Sequence, residues 1–137
     1  MKFKPLLLIG ACFSLMAVIL GAFGAHAFAD ILTTKQMTTY ETAVKYQFYH
    51  SQSIIIASIL CYLFSNNRFF RWAGYLFVVG TLLFSGSLFA YLATTIKSFV
   101  FITPIGGLFF IIAWVVLIIG IMKLSTKNTL PTSHDRY

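Results

Sequence analysis

The chain has 137 residues, 59% hydrophobic and 9% charged, with a formal net charge of +7. Soluble domains carry roughly 25% charged residues, so this composition excludes a disordered chain and argues against a soluble globular domain. Its lysines and arginines form no stripe but punctuate long apolar runs, so they read as topology signals and anionic-lipid contacts, and nucleic acid is not an expected partner.

The first apolar run, Pro5 to Ala29, contains no Asp, Glu, Lys or Arg. Lys2 and Lys4 precede it, and Ala25-His26-Ala27 has the form of a signal-peptidase site. The run is longer than a usual signal core and further apolar runs follow, so it reads as a retained span. Gly10, Ser14, Ala17, Gly21 and Gly24 recur on a seven-residue repeat that puts them on one stripe, a helix–helix seam. Thr38 and Glu41 spell a capping box, and Glu41 precedes Lys45 by one helical turn, so the second helix is expected to start there and enter lipid near Tyr46. The third run goes from Trp72 to Ile96. Thr103-Pro104 reads as a helix start with Pro at the first position, and Gly106, Ala113 and Gly120 repeat the seven-residue spacing. The expected helices are 5–29, 39–65, 72–96 and 104–122, in one membrane domain over 1–123 with a polar tail over 124–137. Each run is long enough to cross about 30 Å of hydrocarbon, and none shows strand alternation. The fold class expected is all-α, a polytopic membrane protein with a four-transmembrane-helix bundle.

Four spans put Lys2, Lys4, Arg68, Arg71, Lys123, Lys127 and Arg136 on one side and Lys35, Lys45 and Lys97 on the other. The positive-inside bias then places both termini in the cytoplasm of a cell-membrane protein. Cys12 and Cys61 both lie in apolar runs and offer no disulfide framework.

Polar side chains at membrane depth are costly and so draw the search for a site. In this topology His26, Gln47, His50, Tyr91 and Thr103 fall in the outer half of the membrane, with Ser87 one turn from Tyr91. Their convergence points to a polar site for a small molecule, a lipid headgroup or a partner helix. The competing reading is that these groups only lock helices together. Ser85 and Ser87 read as helix–helix hydrogen bonds rather than nucleophiles, and His134 in the tail is assigned no role.

Gly-Ala-Phe-Gly-Ala-His (21–26), Tyr-Gln-Phe-Tyr-His (46–50), Leu-Phe-Ser-Gly-Ser-Leu (83–88) and Thr-Pro-Ile-Gly-Gly (103–107) follow one another in this order. Together they resemble the YwdK/YgdD-like small membrane proteins, a bacterial family of unknown function with mitochondrial-type relatives in animals. The resemblance spans roughly residues 1 to 123 and implies a four-helix membrane protein with no established reaction. Phe89 stands where that pattern usually has Tyr, and Ala113 where Gly usually precedes the tryptophan.

No phosphate-binding loop, nucleotide fingerprint, triad or paired-carboxylate motif is present, so the chain is not expected to be an enzyme. No cofactor is expected either. The alternatives to a binding protein are an oligomeric small-solute transporter or channel, a bis-His haem or quinone redox protein using His26 and His50, and an assembly factor. The expected partners are the lipid bilayer and a second copy of the chain or another membrane protein.

Overall fold

The computed structural model describes residues 3–124. The tail from Ser125 onward, with His134, lies outside the described residues, as do Lys2, Lys127 and Arg136 of the charge argument. Helix α1 (Lys4–Ile19) has Pro5 in its first turn, where a missing N–H costs nothing. It runs on through a π-helical segment (Leu20–Gly24) into the short α2 (Ala25–Phe28). Helices α3 (Thr34–Leu63) and α4 (Arg68–Thr94), a 3-10 turn (Lys97–Phe101) and α5 (Thr103–Met122) follow.

Helix α3 starts earlier than Thr38. Its capping box is Thr33 with Gln36: Gln36 N donates to Thr33 Oγ1 (3.3 Å) and Thr33 N donates to Gln36 Oε1 (2.9 Å). Thr38 and Thr42 are interior residues whose hydroxyls donate to the Thr34 and Thr38 carbonyls. The motif occurs twice in succession, and the earlier copy wins because each residue added to a nucleated helix gains a backbone hydrogen bond. Thr103 is likewise no cap. Ile102 precedes α5 in helical conformation, and Thr103 and Pro104 lie in the first turn. The Thr103 hydroxyl is diverted to Ser87, 2.7 Å away on α4.

The stretches Lys4–Gly24, Arg68–Thr94 and Lys97–Met122 are long and apolar enough to cross a membrane. Helix α3 has 30 residues, about 45 Å of rise, but it interrupts its apolar run with Gln47, His50, Ser51, Gln52, Ser53 and Ser58. It therefore stands apart from the other three in composition. The packing explains how it tolerates this. Helices α3 and α4 lie along each other at the centre, α1 packs on α3, and α5 packs on α4. The core joins them through Leu6, Ile54, Phe70, Phe77, Phe110 and Leu117. The outward faces of α1 (Leu8, Leu15, Val18) and α5 (Leu108, Ile111, Val115, Ile118) are apolar and exposed.

Among the described residues the ends differ in charge. The end formed by the start of α1, the α3–α4 loop and the end of α5 carries Lys4, Arg68, Arg71 and Lys123 and no carboxylate. The far end carries Lys35, Lys45 and Lys97 with Asp30 and Glu41.

The α4–α5 seam is built from small residues on both sides. Gly106, Ala113 and Gly120 are all buried on α5, and α4 answers with buried Ala73, Gly80 and Ser87 at the same spacing, running antiparallel. A Cβ on Gly106 would lie 2.8 Å from Phe84 Cα, and one on Gly80 would lie 2.6 Å from Phe110 Cδ1. The stripe on α1 behaves alike only in part. Gly10 and Ala17 are buried and Ser14 half-buried, whereas Gly21 is exposed.

Two substitutions test this account by thermal unfolding in detergent followed by circular dichroism. Gly106→Val must move α4 backbone rather than a flexible side chain, and is expected to cost about 2–3 kcal/mol. Thr95 ends α4 in the left-handed region (φ 59°), which a β-branched residue adopts only at a cost. Thr95→Gly is expected to stabilise the fold by about 1 kcal/mol.

Candidate functional site

The polar candidates are best followed up α3 from the basic end. His50 stands about 20 Å up the helix from Leu63. It is buried, retaining 8% of its surface. Its Nδ1 lies 2.9 Å from the Tyr46 carbonyl. A carbonyl only accepts, so Nδ1 carries the proton, and in the neutral ring Nε2 presents a lone pair. No hydrogen bond reaches Nε2 among the described residues, and Nε2 is not one of the fully buried atoms, so it stays accessible at the surface of the bundle. The ring lies flat on Phe110, with centroids 3.4 Å apart and planes 5° from parallel. Tyr46 continues the stack onto Phe84 (4.4 Å), and Phe77 approaches from α4 (5.8 Å). This aromatic group bridges α3 to α5 across the helix that separates them.

Gln47 faces the other way. It is buried, and its Nε2 donates to the Phe13 carbonyl on α1 (3.1 Å). A second link joins the same helices one turn further on. Gln52 Nε2 donates to Ser14 Oγ (2.9 Å), Ser14 Oγ reaches Ser51 Oγ (2.9 Å), and Ser51 Oγ donates to the Phe48 carbonyl (2.7 Å). The relay ends on a carbonyl, so each hydroxyl both gives and receives.

Towards the far end Ser87 pairs with Thr103, tying α4 to the start of α5. Ser85, two residues earlier, is 1% exposed, and its hydroxyl has no partner among the described residues. At the far end itself Tyr91 lines a cavity of about 250 Å³ with Thr33, Lys35, Gln36 and Thr39. Nearby, Tyr40 donates its phenol proton to the Leu20 carbonyl (2.7 Å). That carbonyl opens the π-helical turn, whose backbone bonds run to the fifth residue rather than the fourth. Gly24 makes this possible, since a Cβ there would overlap the Tyr40 hydroxyl.

His26 lies between Gly24 and Phe28, level with Tyr40, and is exposed. That level is about 15 Å beyond His50 along α3. The expected convergence is therefore corrected to a ladder running from the aromatic stack to the surface. The spacing shows why. Positions that fall at similar depth on separate helices need not share a face: Gln47 turns to α1, His50 to α5, and Ser87 to the start of α5. Two histidines so far apart cannot ligate one haem iron. Among the described residues no three His, Cys, Asp or Glu side chains lie close enough to hold a metal ion. The sequence reading missed Tyr40, Tyr46 and Phe110. Tyr40 announced itself only through the glycines opposite it, and Phe110 was one phenylalanine among 15.

The model of a protein family of unknown function, DUF423, matches residues 20–107. The chain belongs to this family. The matched stretch contains each polar candidate from His26 to Thr103. A UPF0382 membrane protein of Staphylococcus haemolyticus is 42% identical over 120 residues, covering 88% of this chain and 97% of that protein. One from Staphylococcus epidermidis is 40% identical, covering 89% and 98%. The UPF0382 membrane protein YwdK of Bacillus subtilis is 36% identical, covering 88% and 98%. No solved structure matches the chain. The protein is thus a helical membrane protein of a family without an assigned activity.

The Ser87–Thr103 pair lends itself to a double-mutant cycle. With Ser87→Ala and Thr103→Val, the coupling energy measured by unfolding in detergent is expected near 0.6 kcal/mol, the usual worth of an interhelical hydrogen bond in lipid.

Proposed function

We propose that this protein is a four-span, non-catalytic membrane protein of the cell membrane, with both termini in the cytoplasm, that binds a hydrogen-bond-donating ligand at His50. In this reading α3 also crosses the bilayer, sheltered by its neighbours, and the basic end faces the cytoplasm, as the positive-inside bias favours. His50 then lies slightly outside the bilayer midplane, on the side of α3 bridged to α5. The ligand class is a lipid headgroup, a small amphiphile or a polar side chain of a partner helix, each able to offer an O–H or N–H.

The observation that carries this reading is the lone pair on His50 Nε2, left without a donor while Nδ1 is fixed on the Tyr46 carbonyl. At the surface of the bundle, facing hydrocarbon, an acceptor left without a donor still lacks the hydrogen bond that water would give it, a loss of about 1–3 kcal/mol. A donor from a ligand recovers that cost, and the exposed ring of Tyr46 beside His50 presents apolar surface for the rest of an amphiphile. A transport path through one chain is disfavoured, because Phe77, Phe110 and Leu117 fill the space between the helices. A path would have to run between copies.

The test is native mass spectrometry of the full chain released from nanodiscs, comparing the natural protein with His50→Phe. Phenylalanine keeps the stacking surface and removes the acceptor. The expected result is a retained non-protein mass whose occupancy falls about tenfold in the variant, the effect of losing a hydrogen bond worth about 1.4 kcal/mol, with unchanged thermal stability. A bare protein, or equal retention by both forms, sinks the proposal.

A further inference from the structure

The basic end carries a feature that the His50 reading does not use. A cavity of about 600 Å³ opens between the α3–α4 loop and the end of α5. Arg68 and Lys123 stand on it from two different helices, and Leu63, Phe64, Phe69 and Leu124 supply apolar wall. Two fixed contacts hold its frame. Asn67 Oδ1 accepts from Phe69 N (3.1 Å), capping α4, while Asn67 Nδ2 donates to the Gly120 carbonyl (2.8 Å), pinning the loop to α5. Lys123 Nζ sits 4.4 Å from the centre of the Phe69 ring, which holds the ammonium at the cavity.

The side-chain charges at this end are all positive. The first turn of α4 has no acidic residue and carries Arg68, with Arg71 just beyond it, at the positive end of the helix dipole. No salt bridge relieves either arginine among the described residues, and no carboxylate of those residues lies at this end. The side-chain charges and the α4 N-terminus call for an anion, and they outweigh the partial negative ends of α3 and α5 that also reach this cavity, one of which Lys123 offsets from the α5 C-cap. Apolar wall beside cationic rim, at the mouth of the two apolar spans α4 and α5, matches an anion joined to hydrocarbon rather than a free ion.

We propose that this cavity is a binding site for the phosphodiester headgroup of an anionic membrane lipid, with Arg68 and Lys123 on the phosphate and Phe64, Phe69 and Leu63 against the glycerol and upper acyl chain. Each cation near an anionic lipid contributes about fivefold in affinity. The site is independent of the ligand proposed at His50 and of whether α3 crosses the bilayer, because α4 and α5 alone set its depth.

The experiment is native mass spectrometry of the full chain ejected from phosphatidylcholine nanodiscs containing a minority of phosphatidylglycerol. The natural protein is expected to retain phosphatidylglycerol preferentially. Arg68→Gln with Lys123→Gln is expected to lower that retention about thirtyfold, the product of two cations. A control pair at the far end, Lys35→Gln with Lys97→Gln, should leave it unchanged. Arg68→Lys preserves the charge and should keep most of the retention, which separates loss of a binding cation from loss of folding. Inorganic phosphate added before ejection distinguishes the sources: if it fails to displace the lipid, the lipid assignment stands. Displacement by phosphate, equal retention by the double variant, or an equal loss in the far-end control overturns the proposal.

Discussion

The arrangement of the helices follows from the polar face of α3. Gln47, His50, Ser51, Ser53 and Ser58 are all buried on a helix long enough to cross a membrane. In hydrocarbon every such group needs a partner, because no water is there to supply one. Local carbonyls take part of the load: Ser53 donates to Tyr49, Ser51 to Phe48, and His50 to Tyr46. The remainder reach α1, where Ser58 donates to the Phe3 carbonyl (2.9 Å) and Gln47 to that of Phe13. A helix with polar groups on several sides must be covered on several sides. That requirement puts α3 beside α4 in the middle and leaves α1 and α5, which are apolar nearly all round, to face outward.

The second requirement is close approach. Lipid is as apolar as leucine, so burial of apolar area does little to hold these helices together, and packing must. The α4–α5 seam achieves it with small residues on both helices and large rings in the gaps, as where Phe110 crosses Gly80. The same economy explains the π-helical turn in α1. The Tyr40 phenol from α3 donates to the Leu20 carbonyl at the start of that turn, with Gly24 making room. A local departure from α-geometry thus becomes a tie between two helices.

Three long apolar helices were legible in the sequence as charge-free apolar runs, whereas the run over α3 is interrupted by polar residues and does not read as the same kind of helix. The seams on α1 and α5 were legible from their seven-residue repeats. The matching repeat on α4, Ala73, Gly80 and Ser87, was equally present but hidden among larger apolar residues. The site was less legible. Depth can be counted along a sequence, whereas the direction in which a side chain points from a helix depends on where that helix begins and on its neighbours. Gln47 and His50 lie three apart, yet one ties α1 and the other stacks on α5. The start of α3 misled for a related reason, since two successive capping motifs compete and only the energy of the extended helix decides between them.

These constraints limit where chemistry can reside. The interior is filled by side chains that interlock at van der Waals distance, so a ligand has to meet the protein at a lateral groove or at an end. The lateral candidate is His50, where the stack to Phe110 closes the gap between α3 and α5 without quenching the ring's second nitrogen. The end candidate is the basic cavity, where Arg68 and Lys123 come from different helices and Asn67 holds those helices together. The two differ in what they lack. His50 lacks a donor and suits a neutral hydrogen-bonding group, while the cavity lacks a negative charge and suits an anion. A single polar headgroup could not satisfy both at once, since about 20 Å of α3 separates them. On the proposed topology the two surfaces are chemically distinct, one within the depth of the membrane and one at its edge.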